Sequence, residues 1–192
     1  MTLVTLIRHM PTVWNAEGRL QGQRDTSLDP AAIPVWRLPP DLAGFRFLAS
    51  PLLRCRMTAE CLGVTPEIDQ RLTEMSWGEW EGFTLPELRD RFRGTLDELE
   101  AQGLDFRAPG GESPRDLQTR VTPLLAEIAA ADVPTAAVTH KGVIRAVFAL
   151  ATGWDMLGKP PYRLSWSAAH VFRVDRAGHP TVERLNWSLE AR

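Results

Sequence analysis

Cysteine is nearly missing from this chain, with only Cys55 and Cys61 among 192 residues. They stand six apart in what reads as one helix, so they point in different directions and cannot bridge each other. A reducing, cytoplasmic setting is the expectation. Runs of one charge are missing as well. The 22 Lys and Arg are scattered among 24 Asp and Glu, giving a formal charge of -2 and an isoelectric point near 6.1. That mixture offers no track for a nucleic-acid backbone and no patch for an anionic membrane. No stretch is apolar over the length that a bilayer requires. The opening MTLVTLIRH is apolar for only a few residues and runs straight into Arg8 and His9, unlike a signal peptide. Internal repeats and low-complexity tracts are absent. Neither His170 nor His179 stands in a ligand set at metal-site spacing, so no metal and no cofactor is expected.

What is present is 44% apolar residue content over a length that suits one compact domain spanning 1–192. Residues 3 to 8 (LVTLIR) read as a buried strand, and the polar HMPTVWN after it as a loop. His9 thereby falls where α/β sheets place their chemistry. FRFLAS at 45–50 predicts a second strand leading into a helix with Ser50 as N-cap, Pro51 at the first helical position, Arg54 in the first turn and Gly63 past the end. Thr135 to Thr139 predicts a strand that stops at His140, before the helical KGVIRAVFALATG. Ser113, Pro114 and Asp116 spell a capping box opening a helix whose core face is Leu117, Val121, Leu124, Leu125 and Ile128, with a kink expected at Pro123. AAHVFRVDRAGHPTVERLNW reads as an antiparallel hairpin. Strands alternating with helices predict an α/β fold, a three-layer α/β/α sandwich with a mostly parallel central sheet and an antiparallel edge strand. The charge- and glycine-rich span from about 81 to 112 predicts a partly helical insertion over the site.

Arg8 and His9 at one strand end, Arg54 in a first helical turn and His140 at another strand end converge if their strands are neighbours. Cationic and donor groups around one imidazole make a pocket for a phosphate dianion. The same positive field keeps His9 neutral, the form in which a ring nitrogen attacks phosphorus. A leaving alkoxide needs a proton, and RLTEMSWGEWEG offers Glu74, Glu79 and Glu81 as donors. Trp77 and Trp80 flank these acids and are candidates to touch a substrate's organic part, packing being the plainer role of a tryptophan. Arg89, Arg91, Arg93 and Arg107 could reach a second phosphate, a solvated face being the plainer account.

Taken together, LIRHMPTVWN, SPLLRCRMTAE, LTEMSWGEWEG, PGGES and VTHKGVIR resemble, in order over residues 3 to 147, the motifs of the histidine phosphatase superfamily, also called phosphoglycerate mutase-like. The short length resembles that of its small bacterial phosphatases, including those acting on α-ribazole phosphate. The resemblance implies Arg8 and His9 as the arginine-histidine pair, Asn15 as a phosphate-binding asparagine, Arg54 as the arginine of the Ser-Pro-Leu motif and His140 as the second histidine. It selects Glu74 as proton donor over Glu79 and Glu81, with Glu81 as the fallback. The implied cycle is in-line attack by His9, protonation of the leaving oxygen by Glu74, then hydrolysis of the phosphohistidine by water that the same carboxylate activates. Arginines stand in for a metal cation, and the implied substrate is a small phosphorylated metabolite. The hairpin edge and spare tryptophans permit a homodimer.

Two positions depart from the family's pattern, since Met10 and Lys141 replace the glycine usual after each histidine. If position 10 needs a positive φ, methionine there carries roughly 1 kcal/mol or more of strain. Lys141 can instead add a cation at the rim of the site. The family's LTxxGxxQA helix start is absent from SLDPAAIPVWRL, so residues 28 to 40 are expected to be irregular. Besides a phosphatase, two alternatives stay open: a phosphoglycerate-mutase-type phosphotransferase and a catalytically silent phosphate-binding module.

Overall fold

The apolar residues 2 to 8 form strand β1 (Thr2–Arg8), which lies inside a six-stranded sheet rather than at its border. The structure, a computed structural model, describes residues 1–190; residues 191 and 192 of the expected domain lie outside the described residues. Strands β2 (Arg46–Ala49), β3 (Glu67–Ile68), β4 (Thr135–Thr139), β5 (Ala168–Val174) and β6 (Pro180–Ser188) complete the order β3-β2-β4-β1-β5-β6. From β3 through β1 the neighbours are parallel, while β5 runs against both β1 and β6. The predicted α/β architecture, mostly parallel with an antiparallel edge, is therefore what the chain adopts. The reversed strand β5 stands one in from the border, which its hairpin partner β6 forms.

Among the described residues there are six α-helices: α1 (Val13–Ala16), α2 (Leu53–Cys61), α3 (Leu85–Arg91), α4 (Thr95–Glu100), α5 (Pro114–Ala131) and α6 (Lys141–Thr152). Successive side chains of a strand point to opposite faces, and β1 feeds two separate cores in this way. Val4 and Leu6 pack under α5 and α6, against Leu117, Val121, Val147 and Phe148. Ile7 faces the other layer, where Leu28 and Trp36 of an irregular coil and Leu42 of the short 3-10 turn after it join it, and Cys55 and Ala59 of α2 cover Ala49 and Val138 beside it. The irregular coil is the one expected from the prolines of 28 to 40. Both cysteines are free, with Cys55 buried and Cys61 exposed. Among the described residues no helix is long and apolar enough to cross a membrane.

The capping box at Ser113 and Asp116 is present, and all five expected core residues of α5 are buried. The helix continues through Pro123, whose missing N–H falls on the exposed face, where water can take up the freed carbonyl of Thr119. The start of α2 differs from expectation. Leu52 is its N-cap and, being aliphatic, makes no side-chain capping bond; Ser50 Oγ accepts from the Leu52 amide (3.3 Å) and sits 2.7 Å from His140 Nε2, and Pro51 belongs to the bend before the helix. Within 81 to 112, α3 and α4 pack around a small centre of their own made by Trp80, Leu88, Leu96 and Ala108.

Candidate active site

Strand β4 lies between β1 and β2, with Arg8 paired to Thr139 and Ala49 to Val138, so the carboxyl ends of the three parallel strands are level. The next residue of each is held there: the His9 amide donates to Thr139 O (2.9 Å) and the Ser50 amide to Val138 O (3.0 Å). His9, Ser50 and His140 thus stand side by side, and the first turn of α2 swings Arg54 over them. A cavity of about 670 Å3 opens here, lined among others by Arg8, His9, Asn15, Arg54, Glu74 and Lys141.

His9 is 5% exposed, and its Nδ1 lies 2.7 Å from Met10 O. A carbonyl oxygen only accepts, so Nδ1 carries the proton and Nε2 keeps its lone pair. Burial, then the charges of Arg8 and Arg54, lower the pKa of His9 to about 3, against a small upward pull from the Met10 carbonyl. The ring is neutral at any ordinary pH. Met10 meets the site without strain: its φ is not in the left-handed region, its amide donates to Thr58 Oγ1 at 2.9 Å, and its side chain is buried in the core. The strain expected of a non-glycine residue at this position is absent.

Arg54 is fully buried and knits three segments together. Its Nε donates to His140 Nδ1 (3.2 Å), and its terminal nitrogens donate to Arg24 O (2.8 Å) and Gly22 O (2.7 Å). A guanidinium has five N–H groups, so one hydrogen on each terminal nitrogen remains for a ligand. Because His140 Nδ1 accepts, its Nε2 donates to Ser50 Oγ. Both nitrogens of His140 are therefore turned to protein groups, and the fully buried ring lies beneath Arg54, 5.3 Å from the His9 ring, rather than on the cavity wall. Burial, followed by the nearby Arg54, holds His140 well below the ordinary imidazole pKa. Asn15 occupies the third position of α1 and closes a capping box with Thr12. Its Oδ1 accepts from the Thr12 amide (3.1 Å), which leaves its Nδ2 as a free donor on the cavity.

Glu74 sits at the amino end of α6. Oε1 accepts from the Met75 amide (2.8 Å) and the Gly142 amide (3.1 Å), while Oε2 lies 3.2 Å from the same Gly142 amide. Burial pushes the Glu74 carboxyl above the ordinary carboxylate range, against the pull of those amides and of Arg54 and Arg8. Its backbone is pinned from behind, because Arg120 donates to the carbonyls of Arg71 (2.7 Å) and Thr73 (3.0 Å) and pairs with Glu112, which accepts from the Ser76 amide. Glu79 is exposed. Glu81 is turned away as a clamp, accepting from the amides of Gln23 (2.9 Å) and Trp77 (3.2 Å). Trp77 lines the cavity, whereas Trp80 is core of the insertion. Arg89, Arg91, Arg93 and Arg107 are not on the cavity wall; Arg107 pairs with Asp116 and Arg93 with Asp90. His170 is buried in β5 and His179 is exposed beside Asp175, both outside the cavity.

Glycine inside a helix costs about 1 kcal/mol relative to alanine, and at Gly142 the reason is contact: a Cβ there would overlap Glu74 Oε1. A Gly142→Ala protein is expected to fold with undiminished Tm and to lose about 100-fold in turnover of an alkyl phosphate, because its acid is displaced. Unchanged turnover would mean that Glu74 need not rest on this amide. Gly142, Ser50, Arg120 and the carbonyls of Gly22 and Arg24 are working parts that motif reading passed over. Only Gly142 carried a signal, a glycine in the first turn of an otherwise strong helix.

The neutral, buried His9 also links stability to pH. An unfolded imidazole titrates at 6.5 and the folded one near 3, so between these values only the unfolded chain gains the proton. Stability therefore falls as pH drops through that window, by about 1.4 kcal/mol per pH unit. In urea unfolding at pH 7 and pH 5, a His9→Asn protein is expected to lose about 2 kcal/mol less than the parent between the two. Equal losses would mean that His9 is not held neutral.

The model of the histidine phosphatase superfamily (branch 1) matches residues 4–188. The chain belongs to this superfamily. Among its relatives, a protein named probable phosphoglycerate mutase GpmB from Salmonella paratyphi C (strain RKS4594) is 35% identical over 134 residues, 66% of this chain and 62% of the relative. The match thus spans less than two thirds of that relative's length. Among solved structures of similar fold, TTHB049 from Thermus thermophilus has 30% identity and a TM-score of 0.70, covering 97% of this chain and 99% of that one. The mycobacterial glucosyl-3-phosphoglycerate phosphatase has a TM-score of 0.77 over 98% of this chain and 100% of that one, at 22% identity, a likeness of fold.

Proposed function

We propose that this chain is a phosphatase that hydrolyses a phosphomonoester of a small metabolite through a phosphohistidine on His9, without a metal. The tautomer of His9 carries the reading: Nδ1 is committed to the Met10 carbonyl, so the unprotonated Nε2 of a cavity-lining ring faces the charges of Arg8 and Arg54. Nε2 attacks phosphorus, the ester P–O bond breaks, and the leaving oxygen takes the proton of Glu74. The carboxylate then takes a proton from water, the water oxygen attacks phosphorus, and the P–N bond breaks to release phosphate and neutral His9. Arg8, Asn15 Nδ2 and the two remaining N–H groups of Arg54 supply the donors for the non-bridging oxygens, as a cation would. His140 serves this site by fixing Arg54. Unbridged Cys55 and Cys61 suit a reducing, cytoplasmic setting, and the mixed surface charge favours a small molecule over a nucleic acid or a membrane as partner.

The name of the Salmonella relative favours a second reading, a mutase that returns the phosphoryl group to another hydroxyl. Incubation in EDTA with metabolite phosphates, followed by phosphorus NMR, separates the readings. Free phosphate and an acid-labile phosphoenzyme are expected; a rearranged ester without free phosphate would establish the mutase. Binding of phosphate without turnover of any ester would establish a silent module, which has lost the support it drew from Met10.

A further inference from the structure

A second cavity, of about 400 Å3, adjoins the first, and Lys141 and Arg145 line both. Lys159 and Arg163 add two more cations to its wall. Among the described residues none of these four makes an ion pair. Elsewhere carboxylates answer the cations, as Asp69 and Glu127 do for Arg71 and Asp105 does for Arg115. Here aromatic faces are the partners instead. Lys141 Nζ lies 5.4 Å and the Arg8 guanidinium 5.6 Å from the Trp166 ring centre, and Arg145 stands 5.0 Å from that of Trp154. Desolvation, then the charges of Arg8 and Arg145, lower the pKa of Lys141, against an upward pull from Glu74 in the first cavity. Arg145 is half-buried and Lys141, Lys159 and Arg163 are exposed, and four cations with no carboxylate among the residues lining this cavity are complementary to an anion.

We propose that this second cavity binds a second anionic group of the substrate, so that the metabolite carries, besides its phosphomonoester, another phosphate or a carboxylate. The inference deepens the phosphatase reading and rests on it for the place of the first phosphate. Lys141 and Arg145 are one helical turn apart on α6, and residues at that spacing have Cβ atoms about 5 to 6 Å apart. Both residues line both cavities, so this helix face joins the His9 pocket to the second cavity along the path that a substrate's carbon chain would take. Phe148 and Leu164 give that chain an apolar floor. Lys141, which replaces the glycine usual in the family, becomes the residue that joins the two anion sites.

The test is calorimetric titration of a His9→Ala protein with alkyl phosphates, ω-carboxyalkyl phosphates and α,ω-alkanediol bisphosphates of matched and increasing length. The two-anion ligands of the best length are expected to bind about tenfold or more tightly than the alkyl phosphate, and a Lys159→Ala/Arg163→Ala pair on the same background should remove the preference. A preference shown only by bisphosphates, or only by carboxylates, supports the proposal and names the second group. Equal affinity across the three series, or a preference that survives the paired substitution, would overturn it. Turnover is read separately in the parent protein. If two-anion ligands bind preferentially yet none is hydrolysed, the second subsite stands and the phosphatase reading falls.

Discussion

Replacing His9 with alanine is expected to cut phosphate release by on the order of 10^4-fold or more and to abolish the phosphoenzyme. The imidazole makes one hydrogen bond to a neighbouring carbonyl, and the strand-end bond from the His9 amide to Thr139 does not involve the side chain. Loss of the ring therefore leaves the sheet end intact. Arg8, Asn15 and Arg54 remain to hold phosphate, so binding should persist while chemistry stops. That combination separates loss of a nucleophile from loss of a fold. Turnover within tenfold of the parent would place the attacking group elsewhere, and a protein that no longer binds phosphate would mean that the ring is needed to build the pocket.

Glu74→Gln is expected to have an effect that depends on the leaving group. Glutamine keeps an oxygen that can accept from the Met75 and Gly142 amides, so the local structure should hold. An alkyl ester, whose alkoxide must be protonated, is expected to lose about 10^2- to 10^4-fold in rate. A nitrophenyl ester leaves as a stable phenolate and should react with His9 at nearly the parent rate. Its phosphoenzyme then waits for water without a base, so a burst of one nitrophenolate per chain followed by slow turnover is the expected trace. The pH dependence has a definite sign. Burial keeps the Glu74 proton on to higher pH than an ordinary carboxyl, so alkyl-ester turnover should decline as pH rises through that raised pKa, and the variant should lack this limb. Equal slowing of both esters without a burst would remove Glu74 from the proton path.

Much of this arrangement was legible in residue order. The Ser113 capping box, the core face of α5, the hairpin of β5 and β6 and the strand-end positions of His9 and His140 follow from local chemistry, which a linear sequence records directly. The insertion of β4 between β1 and β2 does not, because the pairing of Arg8 with Thr139 and Ala49 with Val138 joins residues far apart in the chain. The misses at Ser50, Gly142 and His140 derive from such long-range contact. Ser50 reads as a helix cap until His140 is beside it, and Gly142 reads as a weak helical residue until Glu74 rests on its amide. His140 carries a motif's histidine, yet its ring faces Arg54 and Ser50, a direction set by three-dimensional neighbours. The second cation cluster is equally hidden, since Lys141 and Arg145 lie on α6 while Lys159 and Arg163 lie beyond it.

The same strand order governs how the chain can fold. Among the described residues β1 pairs only with β4 and β5, so this apolar stretch has no ladder until the chain has grown past residue 135. Contacts of such high sequence separation slow folding, because a long loop must close before any pairing offsets its entropy. Until then β1 is an unpaired apolar strand of the kind that associates with other chains. The geometry that levels His9 with His140 thereby makes the nascent chain dependent on late residues.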